Sequence, residues 1–208
     1  MANAFGVLVD DLKLDGMDRY NKKTKTQEDR AREAMKAQAV AYNEARSYVN
    51  GVKDFYGDGT STLCLIFNGT GETLYYVDDH DWFGILCRTP YPIEIGNGQC
   101  ASFLHVHDIG PSLRGSEAAV IYRGKQKDGL SRDFVLTWIT PFAAWNTNKA
   151  YCEMSEVGHS SSWDDIYNRA SDSDYTADIH RDGMDVEVST ASGSSPVFSA
   201  ILSIPYSP

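Results

Sequence analysis

The densest polar cluster in the chain is Asp78-Asp79-His80-Asp81-Trp82. Carboxylates beside an imidazole can ligate a metal ion or exchange protons near neutral pH. His105 and His107 stand two apart in an apolar run, so on a strand their side chains share one face. With His80 they form a candidate zinc or copper site, provided the fold carries the first cluster alongside that strand. The competing reading is loop carboxylates and hydrogen-bonded histidines near a strand end. Asp172-x-Asp174 followed by Asp178 has the outline of a calcium loop. It lacks the turn glycine and closing glutamate that such loops need, which favours solvated carboxylates.

Other chemistries find no motif. There is no G-x-S-x-G, no phosphate-cradling P-loop and no dinucleotide fingerprint. Gly96-Asn97-Gly98-Gln99 is a turn that opens no helix to supply an anion site. The sequence points to no enzyme and implies no cofactor. Aromatic side chains are the better raw material, because their faces stack on sugars or hold cationic headgroups. Most aromatics in a β-rich chain are core; Trp82 and Trp145 sit in polar, loop-like surroundings. The expected binding set is Trp82, Tyr91, Phe142, Trp145 and Tyr151 as stacking faces, with Asp79, Asp81 and Asn146 as hydrogen-bonding partners.

These residues must be positioned mainly by strands. Leu63–Phe67, the turn Asn68-Gly69-Thr70-Gly71 and Thr73–Val77 read as a β-hairpin, since Asn and Gly tolerate positive φ. Short runs bounded by Gly, Pro or Asp follow at 101–107, 118–123, 134–139 and 148–154. Three more come at 175–180, 184–190 and 197–204. Such regular spacing predicts a sandwich or barrel. Two helices interrupt it. Thr26 with Asp29 three residues on is a variant capping box, worth about 1 kcal/mol. Ala31, Met35, Gln38, Tyr42, Ala45, Val49, Val52 and Tyr56 then recur at helical spacing up to Gly57-Asp58-Gly59. That stripe is expected to pack on the body of the domain or on a partner helix. Its Ala and Tyr content argues against membrane insertion. Ser162-Trp163-Asp164-Asp165 opens a second, short helix running to Arg169, and residues 1–25 read as a loosely ordered arm.

The chain has 208 residues and a net charge of −10. Ten acidic residues against two arginines between Tyr151 and Thr190 give that segment a net charge of −8 (10 − 2). An acidic face repels phosphate backbones and anionic bilayers, so a nucleic-acid partner is not expected. No apolar stretch approaches membrane-span length, and the N-terminus lacks the basic residues and apolar length of a signal peptide. The four cysteines form no C-x-x-C pair and read as buried thiols. A cytoplasmic protein is expected, with 1–57 as arm and helix and 58–208 as a β-sandwich domain.

One block carries a family likeness: Ser61-Thr62-Leu63-Cys64, Leu74-Tyr75-Tyr76-Val77, His80-Asp81-Trp82, Arg88-Thr89-Pro90-Tyr91-Pro92, Glu94-Ile95-Gly96-Asn97-Gly98-Gln99 and Ala118–Gly124. In these residues the chain resembles the small, 23 kDa class of jasmonate-induced plant proteins. The resemblance implies a stress-hormone-induced plant protein and carries no biochemical activity with it. More distantly, the order of elements is similar to the actinoporin and aegerolysin type of sandwich. The pieces are Trp138-Ile139-Thr140-Pro141-Phe142, the helix near Trp163–Arg169, and Val197–Ile204. That resemblance implies a mainly β, cytolysin-like β-sandwich with a long N-terminal α-helix and a short helix near 163–169. The pore-forming relatives hold a lipid headgroup with aromatics after the proline. This chain offers Phe142, Trp145 and Tyr151 there, which implies binding of a headgroup or glycan more than pore formation. The other readings are a metal-dependent enzyme using the three histidines and a module that docks a protein, or a second copy, through its helix.

Overall fold

The computed structural model describes residues 3–108, 114–143 and 146–205. In chain order, β1 (Ala4–Phe5) and a short α1 (Asp11–Asp15) precede the long α2 (Gln27–Tyr56). There follow β2 (Ser61–Gly69), β3 (Leu74–Phe83), β4 (Ile85–Cys87), β5 (Glu94–Ile95) and β6 (Cys100–Val106). Next are β7 (Ser116–Lys125), β8 (Ser131–Thr140), β9 (Lys149–Glu156) and α3 (Trp163–Ser171). The last strands are β10 (Thr176–Arg181), β11 (Met184–Ser189) and β12 (Val197–Ser203).

The strands form two facing sheets. One runs β1-β6-β2-β12-β11-β10, with β4 also on β6; the other runs β5-β3-β7-β8-β9. Trp138, Phe103, Phe134, Phe198 and Tyr122 fill the space between them, all fully buried. This is the mainly β sandwich that the strand spacing predicts.

The first hairpin is not one. β2 pairs with β6 and β12, while β3 pairs with β5 and β7 in the opposite sheet. The Asn68–Gly71 turn is therefore a corner between sheets. All nine residues of β2 are buried, because its outer face lies under α2 and its inner face in the core. A strand buried on both faces belongs in the middle of a sheet. The polar end of β3 suits an edge. Asn68 holds the corner: Nδ2 donates to Glu72 O (2.8 Å) and Ile95 O (2.7 Å), and Oδ1 accepts from the Thr70 amide (3.0 Å). Gly71 has φ +82, and a Cβ there would run into the Gln27 carbonyl.

Helix α2 starts at the expected capping box. Thr26 Oγ1 accepts from the Asp29 amide (3.2 Å), and Asp29 Oδ2 accepts from the Thr26 amide (3.1 Å). Its buried residues are mostly small, Ala31, Ala34, Ala41 and Ala45 with Val49, so the helix lies close on β2 and β6. Ser102 on β6 even donates to the Ala45 carbonyl at 2.8 Å. The stripe that could have met a partner helix is occupied by this chain's own sheet.

Residues 3–25 are not a loose arm. β1 pairs with β6, and Asp10 caps α1 by accepting from the Lys13 amide at 2.8 Å. Val9, Leu14 and Tyr20 are buried against Ala34. The anchor is Glu33, buried on α2, which accepts from the Tyr20 hydroxyl (2.7 Å) and Lys36 (2.9 Å) and pairs with Arg19. Propensity within 1–25 is weak; contacts with α2 supply the order.

Candidate functional site

The strand directions bring one set of loops to one end of the sandwich. β3 and β6 finish there, β7 begins, and β8 delivers Pro141 and Phe142. A cleft of about 260 Å³ opens at this end, walled by Phe142, Asn146, Asn148, Tyr175, Ser192 and Ser194. Its backbone is held by Asn148, whose Nδ2 donates to Ala191 O (2.6 Å) and Gly193 O (2.9 Å). Phe142 stays 39% exposed at the rim, and its ring stands 6.1 Å from that of His107. Among the described residues lining the cleft, only the Tyr175 phenol ionises. Such a surface offers hydrogen bonds and an aromatic face but no net charge.

Of the residues expected to bind, the structure brings Phe142 and Asn146 together here. Trp145 lies outside the described residues. Tyr175, Ser192 and Ser194 were not foreseen. The run Ala191-Ser192-Gly193-Ser194-Ser195 signals a loop, but nothing local says it meets the β8–β9 connection.

The other expected residues go elsewhere. Tyr91 is 7% exposed, stacked on Tyr76 and edge-on to Phe103 inside the core. Tyr151 and Trp82 pack with Trp163 around Ile166 of α3, on the outer face of the second sheet. Asp79 accepts from the Tyr76 hydroxyl. Burial, that bond and the neighbouring Asp charges push the Tyr76 phenol well up from its ordinary value. Asp81 meets His105, Oδ1 to Nε2 3.1 Å. These residues serve the packing of the sandwich rather than one common site.

The three histidines also separate. Side chains alternate along β3, so Asp79 and Asp81 face inward while His80 faces out and stacks on Trp163 at 5.2 Å. His105 is fully buried between the sheets. His107 lies beyond the end of β6, where strand alternation no longer applies. Its Nδ1 is 2.8 Å from the Tyr56 hydroxyl of α2. Among the described residues no three His, Cys, Asp or Glu side chains are placed to hold a metal ion.

A separate acidic patch lies on the outer face of β10 and β11. His180 sits between Asp185 (Nδ1 to Oδ1 2.8 Å) and Asp178 (Nε2 to Oδ2 3.1 Å). The Asp185 bond, helped by the charges of Asp185, Asp178 and Glu187, raises its pKa above the ordinary histidine value.

Comparison with known proteins fits this architecture. The chain is 40% identical to the 23 kDa jasmonate-induced protein of Hordeum vulgare over 149 residues, 69% of this chain and 70% of that protein. A jasmonate-induced protein homolog of Atriplex canescens is 29% identical over 110 residues, 51% of this chain and 58% of that one. The crystal structure of the lipid binding protein Nakanori superposes with a TM-score of 0.86 at 23% identity. That match covers 96% of this chain and 99% of the other. The sequence model of the Nakanori-like proteins takes in residues 5–204. Since that match runs through the long helix and both sheets alike, the chain belongs to the Nakanori-like protein family.

Proposed function

We propose that the protein is a non-enzymatic, stress-induced binding module that holds a zwitterionic lipid headgroup in the cleft beside Phe142. The observation that carries this reading is the uncharged lining of that cleft together with the exposed phenyl ring on its rim. An ammonium group is drawn to aromatic faces, and serine, threonine and asparagine side chains satisfy phosphodiester oxygens without a formal charge. Phe142 would then rest at the headgroup–acyl boundary. The net charge of −10 opposes anionic bilayers and leaves zwitterionic ones as the compatible surface. Kinship with jasmonate-induced proteins and the fold shared with a lipid binding protein support the reading.

A glycan in the same cleft is the second reading, supported by the same hydroxyl- and amide-rich wall. No helix among the described residues is long and apolar enough to cross a membrane, so contact at a surface is the mode proposed. A cytoplasmic location belongs to this proposal. The four cysteines are unpaired, which suits a reducing compartment.

Vesicle co-sedimentation tests the proposal. Phosphatidylcholine or sphingomyelin vesicles should retain the protein, and phosphatidylserine should not improve retention. Phe142→Ala and Asn146→Ala should each weaken binding about tenfold, with unchanged melting temperature. Equal binding by both variants would overturn the assignment of the cleft. Retention only on phosphatidylserine would overturn the headgroup class.

A further inference from the structure

The opposite end of the sandwich holds a second cavity. The β7–β8 hairpin tip and the β10–β11 turn face each other there across a space of about 510 Å³. It is lined by Gln126, Lys127, Asp128, Arg132, Asp182 and Gly183. The space is an open groove rather than an enclosed pocket, with a volume in the range of about 300–1,000 Å³ usual for small-molecule sites.

Gln126 is the informative residue. It is fully buried, yet its Oε1 has no hydrogen-bond partner among the described residues. Its Nε2 donates to the Asp182 carbonyl at 3.2 Å. A carbonyl can only accept, so turning the amide over would set two acceptors against each other. The unpaired atom is therefore the oxygen. Leaving a buried acceptor unpaired costs about 1–3 kcal/mol, and native proteins seldom leave one so. The backbone around it is already committed: Gln126 N donates to Leu130 O (2.8 Å), and Gly129 N donates to Gln126 O (3.0 Å). No donor among the described residues is left for Oε1, and a hydroxyl entering the cavity would supply one.

The rim narrows what that donor belongs to. Lys127 and Arg132 only donate, while the carboxylates of Asp128 and Asp182 only accept. Lys127 also pairs with Glu28. A simple anion would meet two carboxylates and could give nothing to Gln126 Oε1. A simple cation would meet Lys127 and Arg132. Vicinal hydroxyls answer both demands, since each donates one hydrogen bond and accepts others. We infer that this cavity is a carbohydrate site, taking a neutral sugar ring with one hydroxyl on Gln126 Oε1 and its neighbours shared among Arg132, Asp128 and Asp182.

The site is independent of the cleft beside Phe142. The two lie at opposite ends of β7 and β8, so both can be filled at once. A protein occupied at both ends would join a glycan to a lipid surface.

The test is a two-dimensional amide NMR titration of the full chain with glucose, galactose, mannose and N-acetylglucosamine. At least one sugar should move the amides of 126–132 and 182–183 while leaving 146–148 and 192–194 in place. Arg132→Ala and Gln126→Met should weaken that sugar about tenfold or more. Arg132→Ala removes only a rim side chain, so it stays informative if Gln126→Met fails to fold. Phosphatidylcholine vesicle binding should be unchanged in Arg132→Ala. No movement with any of the four sugars overturns the inference. So does movement only at the Phe142 end, or a sugar-soaked crystal showing water alone on Gln126 Oε1.

Discussion

Asp81 on β3 and His105 on β6 meet across the interior of the sandwich, Oδ1 3.1 Å from Nε2. From His105 a buried chain of hydroxyls runs on: Nδ1 to Ser116 Oγ (2.8 Å), Ser116 Oγ to Thr62 Oγ1 (2.7 Å), and Thr62 Oγ1 to Thr140 Oγ1 (2.8 Å). Each of these three steps crosses from one sheet to the other, between side chains that are all buried. The order Asp–His–Ser suggests hydrolysis, but Ser116 is fully buried and no substrate reaches it.

Breaking this chain at its centre should destabilise more than trimming its end. His105→Ala leaves Ser116 with a lost partner in a dry interior, at a cost of about 2–4 kcal/mol from the orphaned bond and the cavity. Asp81→Ala should cost less, about 1 kcal/mol, because the Asp81 side chain is 32% exposed and water replaces it. Urea denaturation of both variants checks the order. Equal midpoints would show that the chain carries no such asymmetry.

A second prediction concerns the segment before α2. Burial alone would raise the Glu33 pKa, but the Tyr20 and Lys36 bonds and the charges of Lys36 and Arg19 outweigh it and hold the carboxyl below its ordinary value. A depressed folded-state pKa means stability that is present above the unfolded value and is lost as pH falls through the folded one. Glu33→Ala should therefore destabilise by about 2–3 kcal/mol at pH 7, with the difference from the parent shrinking below roughly pH 4. Hydrogen exchange should report the loss at residues 9–20 first. A pH-independent difference would contradict the ionised Glu33 anchor.

Thiol reactivity follows from burial. Desolvation pushes Cys100 and Cys152 up to about 12 and Cys64 well above its ordinary value. Cys87 alone is half-buried. Native protein at pH 8 should therefore release at most one equivalent of thionitrobenzoate from Ellman's reagent, and four after unfolding. Rapid reaction of three or more thiols in the native state would mean that the sheets open readily.

The sequence by itself determined the two main helices and most of the strands, but not β1, α1 or β4. The capping box at Thr26–Asp29, the helical stripe to Tyr56 and the Ser162 cap are set by contacts a few residues apart, and the later strands show in short runs bounded by turn residues, so local spacing reveals them. Phe142, expected as a stacking face, and Asn146, expected as a hydrogen-bonding side chain, both line the cleft, though nothing local in the sequence brings them together. Only the tertiary structure decided which strands pair and which residues meet. An Asn-Gly turn reverses the chain equally well within a sheet or between two sheets. Burial of β2 on both faces, a property of the assembled core, selected the second. The same holds for function. Asp81 and Tyr91 look like ligand contacts until β6 of the opposite sheet brings His105 and Phe103 against them, and Asp79 until Tyr76 of its own strand bonds it. Gln126 looks like an ordinary loop amide until a turn 56 residues away covers its nitrogen and leaves its oxygen alone.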